Sequence, residues 1–276
     1  MKSIDKGEYR SKMRKGVSFY FGFDNNIEER VKMIKDAGFD SVMTNADKKF
    51  NHQNGTIKKQ CKLFKKYGLK LSSLHFQYEN KNLHYFWESG EFGEKLKKNL
   101  IKDIKIAKKY GFSCVVVHLK GEYSKIGEKR LNEVLEVCSK LNVMLAIENI
   151  DCQSVFLDTF KNIKHDMLKF CYDSGHNNVF DKDFDYLELF KDKLITLHLH
   201  DNNGKIDQHT LNKFGSINWD DIAKKLAKCN NVLDVISLDY EVLCKSGELI
   251  DCQECLLEIK KQADELEEKI INYSSK

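Results

Sequence analysis

Eight short apolar or β-branched runs recur along the chain, and longer segments patterned for amphipathic helix lie between them. The runs are GVSFYF (16–21), DSVMT (40–44), KLSSLHF (70–76), SCVVVHL (113–119), VMLAIEN (143–149), LKFCYD (168–173), LITLHLH (194–200) and VISLDYEV (235–242). Each has the length and composition of a buried strand. In IEERVKMIKDAG (27–38), Ile27, Val31 and Ile34 form one apolar stripe and Gly38 is a stop signal. EKLKKNLIKDIKIAKKYG (94–111) repeats the device with Gly111. Strict alternation of strand and helix calls for a parallel sheet covered by helices. Eight such units within 276 residues predict a (β/α)₈ barrel of TIM type, a single α/β domain over residues 15–276. A long charged helix at about 251–272 closes it, and residues 1–14 read as a basic tail. A doubly wound open sheet is the other arrangement open to this pattern. No GxGxxG or GxxxxGK[ST] follows any run, which weakens its nucleotide-binding version.

Composition excludes some partners. Net charge is +4, from 46 basic and 42 acidic residues, too mild to argue for nucleic acid. Lysines are spread through helical stretches such as KKQCKLFKKYG, where they read as a solvated face. No apolar run approaches the roughly 20 residues that span a bilayer, and the basic N-terminus lacks the apolar core of a secretory signal. No membrane role is expected. The nine cysteines are scattered, and the CxxC of Cys252 and Cys255 lies in a predicted helix with no second pair, so it reads as chance. A chain this long needs no disulfides, and a reduced, cytoplasmic setting is expected. There is no proline, so tight turns rest on Gly, Asn and Asp.

The ionisable residues fall at strand ends. His75 ends strand three, His118 strand four and Glu148 strand five; Asp173 ends strand six, with His176 three residues on. Strand seven carries His198, His200 and Asp201, and the loop beyond it Asp207 and His209. Strand eight carries Asp239 and Glu241. Each has an ordinary reading alone: a hydrogen-bonded core histidine, a helix cap, a turn aspartate. In a (β/α)₈ barrel, however, the carboxyl ends of all strands converge on one face. So much ionisable cargo at an apolar mouth needs a partner, and a divalent cation is the economical one. Mixed imidazole and carboxylate ligands suit Zn²⁺, Mn²⁺, Fe²⁺ or Co²⁺. Period two puts His198 and His200 on one side of their strand, and Asp239 and Glu241 on one side of theirs, leaving open which of each pair serves.

In this order the motifs resemble those of the xylose isomerase-like TIM-barrel superfamily, over about residues 15–245. They are the histidines of strands three and four, Glu148-Asn149, the DxxH of Asp173 and His176, the HxxD of His198 and Asp201, the DxH of Asp207 and His209, and the strand-eight acid. The superfamily holds sugar phosphate isomerases and epimerases, ketose 3-epimerases and endonuclease IV-type AP endonucleases. The resemblance implies a single-metal site of Glu148, Asp173, His198 and Glu241. Glu148 and Glu241 would double as the acid/base pair that moves a proton through a metal-stabilised enediolate. His176 and His209 would orient ligands or substrate. Zn²⁺ or Mn²⁺ is expected first, with Mg²⁺ or Co²⁺ as alternatives, and a sugar or sugar phosphate as substrate.

The same resemblance offers a second reading, a multi-zinc phosphodiesterase. Endonuclease IV relatives use a fuller set, for which this chain has His75, His118, Glu148, Asp173, His176, His198, Asp207, His209 and Glu241. Against it, the prolines usual beside the first two histidines are missing, and the loop NADKKFNHQNG is short and only modestly basic. Glu241 is preferred over Asp239 because its longer side chain resembles the family pattern. Phe19, Phe21, Phe76, Tyr78, Trp87 and Phe214 are candidates for a pocket wall, each with core as the ordinary reading. Lys120 or Lys205 could hold a phosphate. Asn218 is expected to cap the helix that Trp219 begins. Barrels of this type often pair, so a homo-oligomer is expected.

Overall fold

The computed structural model describes residues 13–77, 82–230, 232–233, 236–244 and 251–275. Its strands are β1 (Lys15–Ser18), β2 (Ser41–Asn45), β3 (Lys70–His75), β4 (Cys114–Val117), β5 (Met144–Glu148), β6 (Leu168–Asp173), β7 (Leu194–His198) and β8 (Leu238–Tyr240). All pair in parallel, in the order β7-β6-β5-β4-β3-β2-β1-β8. The last seam is closed by a parallel bridge between Leu199 and Tyr240, with Leu199 N donating to Asp239 O at 2.9 Å and Glu241 N to Leu199 O at 2.9 Å. The barrel is therefore complete, and the doubly wound alternative falls.

Helices α1 (Ile27–Asp36), α2 (Lys48–Asn54), α3 (Ile57–Lys66), α4 (Glu91–Tyr110), α5 (Lys125–Leu141), α6 (Gln153–Asn162), α7 (Ser174–Phe180), α8 (Tyr186–Phe190), α9 (Trp219–Leu226) and α10 (Cys252–Ser274) cover the outside. Asn218 caps its helix as expected, and Asn26, Thr56 and Ser124 likewise each accept a backbone N–H of the first turn. The main core lies between sheet and helices, where alternate strand residues such as Val17, Val42, Leu74, Val115, Leu145 and Leu238 are buried. The other alternation points into the barrel.

Several boundaries move. β1 stops at Ser18, short of Phe21, because the chain turns there: Phe19 and Phe21 enter the core while Tyr20 reaches the barrel mouth. β8 is three residues long, and Val235 of its expected span lies outside the described residues. Of the tail, residues 1–12 lie outside the described residues. Met13 and Arg14 belong to the barrel, Met13 buried in the core and Arg14 O accepting from Leu238 N at 2.9 Å. Under them, the buried Lys15 ammonium pairs with Glu267 and, at 3.4 Å, with Asp264 of α10. The CxxC is not a unit. Cys255 turns into the core and forms a disulfide with Cys244, which departs from the expectation of reduced cysteines. The cause is proximity: the chain leaving β8 passes the first turn of α10 with the two Cα atoms 6.3 Å apart.

Candidate metal centre

Glu148, at the end of β5 and 2% exposed, is the hub. Four imidazoles surround its carboxylate. His118 Nε2 stands 3.2 Å and His176 Nδ1 3.0 Å from Oε1; His75 Nε2 stands 3.2 Å and His198 Nδ1 3.0 Å from Oε2. His198 Nδ1 is also 3.3 Å from Glu241 Oε2. Asp173 lies beside them, its Oδ2 3.6 Å from His176 Nδ1. On the outer rim, Asp207 Oδ2 stands 3.0 Å from His209 Nε2 and 3.4 Å from His176 Nε2.

Local chemistry aims these groups. Asp173 caps α7, its Oδ1 accepting from His176 N at 2.6 Å, so one carboxyl fixes both its own height and that histidine's. Asn149 pins the same strand end, accepting from Asp173 N at 2.8 Å and donating to Asp173 O at 2.9 Å. His75 Nδ1 donates to Phe76 O at 2.5 Å, and His209 Nδ1 to Glu241 O at 2.8 Å. Each bond leaves Nε2 as the lone pair facing the carboxylates, the tautomer that a metal takes. His209 needs a left-handed backbone, φ 54°, to turn its ring inward, where it stacks on His200 at 3.8 Å.

The spacing fits a cation. Ligands held at about 2.0–2.1 Å around a tetrahedral ion lie about 3.3 Å apart. The contacts around Glu148 and His198 run from 3.0 to 3.3 Å. Yet His118 Nε2 and His198 Nδ1, both buried, make no aligned hydrogen bond at that range. Their lone pairs and the carboxylate oxygens converge on shared points instead. Ligating atoms within 4.8 Å of one another fall into overlapping groups: His75, His118 and Glu148; Glu148, Asp173 and His176; Asp173, His198 and Glu241; His176, Asp207 and His209.

Without a cation, protons balance the acids. Burial opposes charge on Glu148, but the imidazoles of His118 and His198 outweigh it and hold the carboxyl well below its usual range. Burial also opposes charge on His198, and its neighbours Cys171, Glu148 and Glu241 overcome it and raise the imidazole well above its usual range. His209 rises to about 9 because its bond to Asp207 and the charge of Glu241 exceed the cost of burial. His118, where burial dominates, is lowered. A divalent cation would take the place of these protons.

All nine residues of the fuller ligand set therefore meet at one mouth. Asp239 does not join them: it sits one layer down inside the barrel, buried, with its carboxyl pushed up to about 6 by burial. His200 is fully buried and holds Asp173, with Nε2 3.1 Å from Oδ1. Only glycine fits beneath it, since a Cβ at Gly175 would stand 1.9 Å from the ring. Asp201 accepts from Ser216 N at 2.9 Å, Ile217 N at 3.1 Å and Trp219 Nε1 at 2.6 Å, clamping the base of the loop that carries Asp207 and His209.

Pattern reading missed Cys171, whose Sγ joins Glu148 and His198. It lies two residues before Asp173 and so on the same face, but it reads as an apolar strand residue. The cavity over the centre, about 320 Å³, is walled by Tyr20 and Phe50 and carries Ser18, Thr44, Asn45 and Ser73. Phe19, Phe21, Phe76 and Trp87 are core instead, Phe214 lies off the cavity, and Tyr78 is outside the described residues. No Lys or Arg lines the cavity among the described residues. Lys120 pairs with Asp151 at 2.8 Å, and Lys205 is exposed in its loop.

Among the described residues no helix is long and apolar enough to cross a membrane. A structure titled as a D-tagatose 3-epimerase-like protein superposes with a TM-score of 0.72 at 20% identity, covering 94% of this chain and 99% of that one. The D-psicose 3-epimerase of Clostridium cellulolyticum H10 superposes at 0.66 with 16% identity, over 95% and 98%. In sequence, an uncharacterized protein of Methanocaldococcus jannaschii is 26% identical over 238 residues, 80% of this chain and 90% of the relative. Another from Sinorhizobium fredii is 25% identical over 250 residues, 75% and 79%. The family model described as xylose isomerase-like TIM barrel matches residues 31–250. The chain belongs to the xylose isomerase-like TIM barrel family.

Proposed function

We propose that this chain is a divalent-metal-dependent enzyme that isomerises or epimerises a small sugar or sugar phosphate. The observation that carries the reading is the pair Glu148 and Glu241, two carboxylates that approach one imidazole, His198, at 3.0 and 3.3 Å on the floor of a cavity of about 320 Å³. Moving a proton on a carbon next to a carbonyl needs a base and an acid close to the same carbon. Glu148 takes that proton and Glu241 returns it, or the reverse. Glu148, Asp173, His198 and Glu241 would hold the ion. Bound there, a divalent cation would supply positive charge to the substrate's carbonyl and hydroxyl oxygens. Ser18, Asn45 and Tyr20 offer hydroxyl and amide groups suited to a polyol. The fold shared with ketose 3-epimerases supports the same chemistry.

A second reading, a multi-zinc phosphoester hydrolase, is favoured by one observation: the groups His75–His118 and His176–Asp207–His209 supply ligands beyond a single ion. A small cavity with no Lys or Arg in its lining among the described residues weighs against a nucleic acid substrate.

Elemental analysis of the purified protein, joined to a ketose and aldose screen, separates the two. Turnover of a sugar that Glu148→Gln lowers by about 10²–10⁴, with the far-UV circular dichroism unchanged, is expected. Two to three zinc ions per chain with phosphoester cleavage and no sugar turnover would overturn the first reading in favour of the second.

A further inference from the structure

Barrels of this type are usually filled below the mouth by bulky branched side chains. This one is not. Gly16, Ser41, Ser73, Cys114 and Asp239 occupy the inward positions there, adjacent across β8, β1 and β2 (Asp239 to Gly16 to Ser41) and across β3 and β4 (Ser73 to Cys114). The space is made deliberately at β1: a Cβ on Gly16 would stand 1.8 Å from Asp239 Oδ1.

What fills the space is polar. The Ser72 and Ser237 hydroxyls lie close enough to Asp239 to favour its charge, but neither Asp239 oxygen, nor the hydroxyls of Ser72 and Ser73, nor His198 Nε2, all buried, has a well-aligned hydrogen bond. Ser41 and Ser237 already bond to each other at 3.0 Å. Orphaned polar atoms gathered at one place cost too much to be left dry, and buried water satisfies such groups with about three bonds each. The register across the seam brings the remaining partner in. Leu199 lies opposite Tyr240, so His198 and Asp239 are side by side, both facing inward.

We propose that Asp239 is the positioning residue of His198: its carboxylate receives the Nε2–H of that imidazole through a buried water held by Ser72 and Ser73, leaving Nδ1 as the lone pair for the metal. Nδ1 is the nitrogen that faces Glu148 and Glu241. A histidine ligand whose far nitrogen is tied to a carboxylate is fixed in tautomer and ring angle, and losing the partner typically weakens metal binding by about 10–100-fold. The inference rests on the metal reading above.

The test is Co²⁺ and Zn²⁺ affinity by chelator competition, together with the visible spectrum of the Co²⁺ form. Asp239→Leu fills the nest with apolar volume, and should bind about 10–100-fold more weakly with an altered spectrum while staying folded. Asp239→Asn keeps an acceptor oxygen and should lose less. Ser73→Ala keeps the charge but removes a hydroxyl that holds the water, and should shift both readouts in the same direction. Folded variants that bind as tightly as wild type with an unchanged Co²⁺ spectrum would overturn the assignment alone. A wild-type chain that takes up no divalent ion would overturn the metal reading, and this assignment with it.

Discussion

Each histidine at the mouth does a job set by what its second nitrogen touches. His75 and His209 spend Nδ1 on backbone carbonyls, and His200 spends Nε2 on Asp173, so the residues resemble one another in sequence but differ in role. Strand alternation cannot tell them apart, because His198 and His200 share a face. Away from the mouth, Asp103 on α4 shows how environment alone sets a carboxyl. It is partly buried, with no ion-pair partner among the described residues, and burial pushes it from 3.8 to about 7. The folded state then binds its proton more tightly than the unfolded chain does. Its contribution to stability is full below about pH 4, declines as pH rises, and is lost above about pH 7. Asp103→Asn, which cannot ionise, is expected to raise Tm at pH 8 and to change it little at pH 4. Equal shifts at both pH values would contradict the assignment.

Elements were legible where their pattern is local and strong. β6 matches its apolar run end to end, and α1 and α4 end at the glycine stops. β1 and β8 were read too long, because tertiary turns bend Phe19 and Phe21 into the core and shorten the strand at the seam. The closing helix is held by a feature no periodicity reveals, the buried pairing of Lys15 with Glu267, which also accepts from Met13 N. Among the described residues, Glu267→Ala leaves the buried ammonium only Asp264, at 3.4 Å, and should cost about 3 kcal/mol. Lys15→Met with Glu267→Leu, which removes both charges, should cost far less. Urea melts of the two variants check this; a similar loss in both would show that packing, not pairing, holds α10.

At the scale of the molecule, metal and fold should be linked if the proposed site holds an ion, since its candidate ligands come from six strands or the loops that follow them and an ion would tie those strand ends together. An ion at about a hundred times its dissociation constant adds about 2.7 kcal/mol. A chain of this size shifts by about 2–4 °C per kcal/mol. EDTA is therefore expected to lower Tm by about 5–10 °C, with Zn²⁺ or Mn²⁺ restoring it, and a Tm indifferent to both would argue against a resident ion. The type and order of the elements, and the presence of an imidazole or carboxylate near the ends of β3 to β8, can be read from the chain alone. Both are local properties: period two, period 3.6, and the polar residue that ends an apolar run. That one carboxylate, Glu148, stands among four imidazoles, that Glu241 rises to the mouth while Asp239 stays below it, and that Tyr20, Phe50 and Cys171 complete the surroundings all follow from the assembled barrel. The reason is closure. The height of a side chain inside a barrel depends on the stagger between neighbouring strands, and that stagger is a relation between distant segments, encoded in no one of them.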